Sequence, residues 1–283
     1  MAQAFNAYLD ADKSDRFLLK LSSYWKETLV ETITPETIRR AARKVYPDAQ
    51  PATWNRQVIV PTVAAINYAA SLGWCNPIKV KRFPVNTKKK TPADLAWINA
   101  HSAQALADGL PHLAALSLFL YATGARISEA CRLTWADVDL SQAVATIRMG
   151  KPTPWERTAH LPPQVIAAMG SIGGNRNPTE LVFGYEGRDS VTKVWNNVAG
   201  RAEIAPLTPH CCRHGFATSM LHKGFDPKTV AERGGWKDAA TVLRTYAHAL
   251  KDRTVTDALF GTEVTQAESL SQVTIGKGRS NFG

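Results

Sequence analysis

The chain has 283 residues, with 34 Lys and Arg against 24 Asp and Glu and a formal charge of +10; its sequence pI is about 9.5. A composition that is 45% hydrophobic and 20% charged excludes wholesale disorder and collagen-like or coiled-coil fibres, and the length fits one large domain or two ordinary ones. No run approaches the roughly 18 apolar residues of a membrane span, and Asp10, Asp12 and Asp15 stand where a signal peptide would be basic and then apolar. A soluble, unexported, cytoplasmic protein with no membrane partner is expected.

In chain order, Phe17, Leu18, Leu21, Tyr24 and Trp25 recur at spacings of three and four and predict an amphipathic helix. Thr34-Pro35-Glu36 opens a second helix towards Tyr46, with Thr as cap and Pro in the first turn. An apolar stripe through Trp54, Val58, Ala65, Ala69 and Leu72 predicts a third, stopped at Gly73 and kinked at Pro61. The first module reads as a small helical bundle. It is also where the charge sits, since residues 1–90 hold 15 Lys and Arg against 7 Asp and Glu and the remainder 19 against 17. Between Ile78 and Thr91, Lys79, Lys81, Arg82, Lys88, Lys89 and Lys90 follow one another with no acid among them. Such a stretch is either a solvated connector or a strap along a phosphate backbone, and charge alone favours neither.

Beyond it, Thr91-Pro92 predicts a helix cap, and Leu113 to Tyr121 a buried helix stopped by Gly124. Two alternating runs, Ala143–Met149 and Arg157–Leu161, joined through Gly150-Lys151-Pro152, predict a β-hairpin. Pro163–Met169, Val191–Ala202, His214–His222 and Pro227–Arg233 read as helices, and Thr262–Gly283 as a polar flexible tail. The four cysteines, Cys75, Cys131, Cys211 and Cys212, lack C-x-x-C spacing, and an adjacent pair bridges only with strain, so reduced thiols are expected. His210, Cys211, Cys212 and His214 invite a zinc reading, but directly adjacent cysteines converge poorly on a tetrahedral ion, and no metal site is assigned.

Four segments of the second module carry chemistry: Gly124-Ala125-Arg126-Ile127-Ser128-Glu129, Gly150-Lys151, His210-Cys211-Cys212-Arg213-His214, and Gly235-Trp236 followed by Tyr246-Ala247-His248. Each alone has an ordinary explanation: a helical ion pair, a hairpin tip, core histidines, a core tryptophan and tyrosine. Together and in this order they resemble the tyrosine recombinases, the phage-type integrase family, over about Thr91 to Leu250. Opening a phosphodiester needs its non-bridging oxygens neutralised, which forked guanidiniums do and a lysine cannot reproduce; Arg126 and Arg213 are the candidates. A phenol with a pKa near 10 attacks only when a base takes its proton, and the leaving sugar oxygen needs an acid.

The resemblance implies Tyr246 as nucleophile, His210 as its base, Lys151 as the acid (Lys193 and Lys223 being the other lysines that could be proposed), and Trp236 as an indole donor where many members carry His. It implies supporting roles for Glu129, which orients Arg126 or its neighbours, and for His214, read as a structural histidine. Three departures stand out: Gly234-Gly235-Trp236 where Leu-Gly-His is common, a generous spacing from Trp236 to Tyr246, and Cys211-Cys212 in place of more apolar residues.

The fold implied is mainly α with a small β-hairpin or sheet. A helical core-binding domain would cover residues 1–86, a basic linker 87–91, a mixed α/β catalytic domain 92–261 and the tail 262–283. With no arm-binding domain evident before the bundle, simple-site recombination is the expectation. The activity implied is site-specific cleavage and rejoining of double-stranded DNA through a 3′-phosphotyrosyl bond, without cofactor or metal, by a homotetramer on DNA in a prokaryotic or phage context. The basic residues 79–90 would contact DNA, and Val255, Leu259 and Phe260 would form a short helix that docks on a neighbouring subunit or packs on its own. The alternatives are a type IB topoisomerase-like enzyme and a catalytically silent DNA-binding architectural or repressor protein.

Overall fold

The computed structural model describes residues 1–85, 91–149 and 155–246. Lys88, Lys89, Lys90, Lys151, the segment with Val255, Leu259 and Phe260, and the expected tail lie outside the described residues. The chain divides into two compact units, Met1–Lys89 and Lys90–Gly283.

The first unit contains α1 (Ala2–Asp10), α2 (Leu18–Trp25), α3 (Pro35–Val45), α4 (Pro51–Trp54) and α5 (Val60–Ser71). Thr34 caps α3: its hydroxyl accepts from Thr37 N–H at 3.2 Å, while the Thr37 hydroxyl accepts from Thr34 N–H at 2.9 Å, a reciprocal cap of the Ser/Thr type. Between α4 and α5 the chain makes a π turn, Asn55–Ile59, in which Val60 N–H bonds back to Asn55 O. Pro61 has no N–H to give the helical ladder, and the wider turn just before it accommodates that gap where the sequence predicts a kink. Gly73 then adopts φ +80° and closes α5, with Trp74 N–H on Ala69 O and Gly73 N–H on Ala70 O, the paired bonds of a left-handed helix stop. Phe5, Leu21, Trp25, Ile38, Val58 and Ile66 fill the core.

The first half of the basic stretch is part of this bundle. Phe83 is buried in the core, and Asn55 holds its backbone from both sides, Oδ1 accepting from Phe83 N–H and Nδ2 donating to Phe83 O, each at 2.8 Å. Asn67 Oδ1 accepts from Ile78 N–H at 2.7 Å, and Arg39 donates to Lys81 O at 2.6 Å. The guanidinium of Arg39 lies 4.1 Å and that of Arg43 5.3 Å from the centre of the Phe83 ring. Lys79, Lys81 and Arg82 are exposed on the anchored segment.

The second unit runs α6 (Leu95–Ala107), α7 (Pro111–Thr123), α8 (Ile127–Ala130), β1 (Val138–Asp139), β2 (Val144–Met149), β3 (Trp155–His160), α9 (Pro163–Gly170), α10 (Arg188–Arg201), α11 (His210–His222), α12 (Pro227–Gly234) and α13 (Ala239–Tyr246). The cap expected at Thr91-Pro92 falls instead at Asp94, whose carboxylate accepts from Trp97 N–H at 2.7 Å. Ala93 precedes the helix, and its N–H donates to Cys211 O. The sheet is antiparallel in the order β1-β2-β3, its first strand too short to leave a periodic signal. Met149 pairs with Trp155 at the end of the β2–β3 ladder. Helix α7 is apolar on all sides, with Leu113, Leu116, Phe119 and Leu120 buried, and is the central helix of the main core. Phe216, Ala217, Leu221, Val230, Val242 and Tyr246 form a separate small core that joins α11, α12 and α13. The fold is mainly helical with one small sheet. Among the described residues no helix is long and apolar enough to cross a membrane.

Candidate active site

Two helix ends define the floor of the site. Gly124 ends α7 and Gly235 ends α12, both left-handed at φ +63° and +69°. Their carbonyls and those beside them are the unsatisfied acceptors of a helix C-terminus, which carries partial negative charge. Two buried arginines take them. Arg213, from α11, donates Nη1 to both Gly124 O and Gly234 O and Nη2 to Gly235 O. Arg157, from β3, donates Nη1 to Arg233 O at 2.6 Å and Nη2 to Thr123 O at 2.9 Å. Burial pushes the Arg213 guanidinium down to about 9, with Arg126 acting in the same direction and Glu129 and Tyr246 against it. Burial likewise brings Arg157 to about 10, opposed by Glu129.

Arg126 comes just after the Gly124 turn and stands at the start of α8. The buried Glu129 accepts from its backbone N–H at 2.9 Å and from its guanidinium at 2.6 Å, so one carboxylate caps the helix and holds the side chain. The Arg126 side chain is 38% exposed where that of Glu129 is 3%, and it is the solvent-facing cation of this corner.

Tyr246 stands on α13, whose start is fixed by Asp238 accepting from Thr241 N–H at 2.7 Å. The cap adds the length that separates Trp236 from Tyr246. The tyrosine is 3% exposed. Its hydroxyl is 2.8 Å from His214 Nδ1, and burial raises it to about 12 against the pull of Arg213. The family resemblance sets His210 against the phenol and gives His214 a structural part. The structure instead puts His214 on the hydroxyl, with His210 one helical turn earlier, exposed, its ring edge-on to His214 at 4.8 Å. Both side chains share one face of α11; α13 packs on the Phe216 and Ala217 level of that helix and so meets His214.

Trp236 covers the other side of this group. Its ring centre is 3.6 Å from the Arg213 guanidinium, 5.9 Å from and perpendicular to the Tyr246 ring, and parallel to Phe216 at 6.2 Å. The described site thus gathers Arg126, Glu129, Arg213, His214, Trp236 and Tyr246, with His210 at its edge. Lys151 falls in the connection between Met149 and Trp155, outside the described residues. Lys79, Lys81 and Arg82 belong to the other unit.

Arg157 is the site residue that sequence reasoning missed. Its signal was present: in β3 the inward positions are 157 and 159, and an arginine stands where an apolar residue is the rule. Among the described residues, no three His, Cys, Asp or Glu side chains come together as metal ligands. All four cysteines are free thiols, and burial raises Cys131 to about 11 and pushes Cys212 up as well.

Guanidinium donors, histidine and a phenol at the ends of two helices make an anion-handling, tyrosine-centred site on a helical domain. Residues 94–253 match the family described as Phage integrase family. That match covers more than half of the chain, and the protein belongs to this family. It is 35% identical over 160 residues to tyrosine recombinase XerC of Herpetosiphon aurantiacus, covering 52% of this chain and 51% of that protein. It is 31% identical over 132 residues to XerA of Pyrococcus furiosus, covering 44% and 46%. The chain spans about half the length of the curated relatives it matches. In fold it is similar to a lambda integrase(75-356) dimer bound to a COC' core site, with TM-score 0.67, 14% identity and coverage of 89% and 96%. The Tn1549 transposon integrase in complex with circular intermediate DNA gives TM-score 0.66 at 19% identity, covering 82% and 86%.

Proposed function

We propose that the protein is a site-specific DNA recombinase that cuts and rejoins strands through a covalent bond between Tyr246 and a 3′-phosphate. The observation that carries this reading is the Tyr246 hydroxyl held on His214 within a group that includes Arg213 and Arg126. A phosphodiester beside that hydroxyl meets Arg126 from the solvent side. Arg213 adds Nε–H and the one Nη2–H that its three carbonyl contacts do not take, a fork suited to two oxygens. With Nδ1 as acceptor, His214 takes the phenolic proton while the tyrosine oxygen bonds to phosphorus and the P–O bond to the 5′ sugar breaks. Lys151 protonates the departing oxygen. The free 5′-hydroxyl of a second duplex reverses the step, losing its proton as the phosphotyrosyl bond breaks, so the number of phosphodiester bonds is conserved and neither nucleotide nor metal is consumed. The basic first unit grips duplex DNA, and paired cuts on two duplexes call for four copies.

A nicked suicide duplex tests the reading in EDTA. Protein should become attached to the 3′ side of the break, with the adduct mapping to Tyr246, and Tyr246→Phe should bind DNA without forming it. An adduct at Tyr121 or Tyr185, or undiminished cutting by the Phe variant, overturns it. Relaxation of supercoils with no exchange between duplexes would favour the topoisomerase reading, and a strict metal requirement would remove the mechanism.

A further inference from the structure

Gly234 has an ordinary backbone, so nothing in its φ demands glycine. Space does. A Cβ there would come within 2.5 Å of Cε3 of Trp236, closer still to Cζ3, and within 2.9 Å of Cε1 of Phe216. Real Cβ atoms do not make such contacts, and protein interiors do not yield by that much. The six-membered ring of the indole therefore occupies the volume a side chain at 234 would need. In that place its ring is parallel to Phe216 at 6.2 Å and has the Arg213 guanidinium 3.6 Å from its centre.

The consequence reaches the reacting group. Three carbonyls accept from the edges of the Arg213 guanidinium, contacts that leave the two faces of its plane uncovered. The flat face of an indole covers one of them, and a cation over a ring is favoured most where water is excluded. One of the three carbonyls is that of Gly234 itself. The glycine thus sets Arg213 twice, by its carbonyl and by its missing side chain.

Resting on the recombinase reading, we infer that Gly234 is a positioning residue for strand cleavage: the absence of a side chain there lets Trp236 lie flat on Arg213, and it is the face of Trp236, not its N–H, that the reaction uses. Gly234 and Trp236 then form one device, which gives a physical reason for finding both changes together in Gly234-Gly235-Trp236.

The test is covalent-complex formation on the nicked duplex, with DNA affinity measured separately. Trp236→Phe keeps a face and removes the N–H, and should cleave within about fivefold of the parent; Trp236→Leu keeps only bulk and should lose roughly 30-fold or more. Gly234→Ala should lose a comparable factor at nearly unchanged DNA affinity. Adding Trp236→Phe, which withdraws the ring atoms that Cβ would strike, should restore most of that activity, and this reversed sign of coupling is not what a general loss of fold produces. The same pair is tracked by thermal melting, which reads the packing independently of catalysis. If Trp236→Phe loses as much as Trp236→Leu, indole N–H donation is the working contact and the inference is wrong. Additive losses in the Gly234→Ala and Trp236→Phe pair, in cleavage and melting alike, overturn the pairing. A parent protein that forms no covalent complex removes the recombinase reading itself, whatever the melting data say of the packing.

Discussion

His101 and His214 both stand among aromatic rings, and the two surroundings turn the same side chain to different ends. His101 is fully buried, stacked on Trp97 at 5.0 Å and tilted against Trp195 at 4.2 Å, with Nε2 3.4 Å from Trp195 O. Burial pushes it down to about 4, with the bond to Trp195 O working the other way. It is the neutral third member of a ring cluster whose two indoles lie 5.9 Å from each other. His214 has rings on two sides as well, His210 and Tyr246, but its Nδ1 meets an ionisable hydroxyl at the mouth of an arginine-lined corner. Aromatic company alone says nothing about a histidine's chemistry; the acid or base in hydrogen-bond reach decides it.

The largest test of that contrast is His214→Gln. It should slow covalent-complex formation by about 100-fold to 1000-fold, the usual worth of a positioned base, while His101→Gln should leave the rate per folded molecule unchanged. Single-turnover cleavage read against the folded fraction separates the two. Equal losses would erase the distinction between the two histidines.

Next is acid stability. In the unfolded chain His101 takes up a proton as pH falls through about 6.5, whereas in the folded domain it does so only near 4. Its contribution is therefore complete above pH 6.5 and lost between 6.5 and 4, amounting to about 3 kcal/mol at most. Denaturant midpoints over that range should fall steeply for the parent protein and less for His101→Leu.

Arg157 sharpens the comparison from the side of the buried cations. Arg157→Met leaves Arg233 O and Thr123 O without their donor and should destabilise the second unit by about 2 kcal/mol, read by chemical denaturation. It should also slow cleavage, since the turns it ties carry Arg126 and Trp236. The smallest effect belongs to the first unit: charge reversal at Lys79, Lys81 and Arg82 should lower DNA affinity about equally for unrelated sequences and flatten the salt dependence by roughly one unit of slope per lost phosphate contact. An unchanged slope would make the anchored segment a structural edge only.

Local signals were legible in the sequence wherever the cause is local. Thr34-Pro35 caps a helix because hydroxyl and backbone are neighbours, and Gly73 and Gly124 stop helices because their own φ allows it. Thr91-Pro92 misled because the same residue types also suit an extended approach, and the true cap, Asp94, stood three residues on. What was not legible depends on how deeply one helix seats on another. The helical phase puts His210 and His214 on one face, yet only the height at which α13 docks decides which of them meets Tyr246. Gly234 could be seen as a departure from a pattern, but its reason lies in the indole ring that fills its place, and Arg157 needed the register of β3 to show that it points inward.

The π turn at Asn55–Ile59 is, in register, one residue more than an α-helix would hold. On a helix with 3.6 residues per turn, that residue rotates the helix on its N-terminal side by roughly 100° relative to the helix on its C-terminal side. Deleting a single residue from the turn would thus restore a regular helix and at the same time swing Asn55 away from Phe83, freeing the Phe83 end of the returning segment while Asn67 keeps its hold on Ile78 and Ile66 and Ala69 keep their places in the core. The irregularity is a phase shift, and it lets one continuous rod turn Asn55 towards Phe83 and Asn67 towards Ile78 from two differently phased halves.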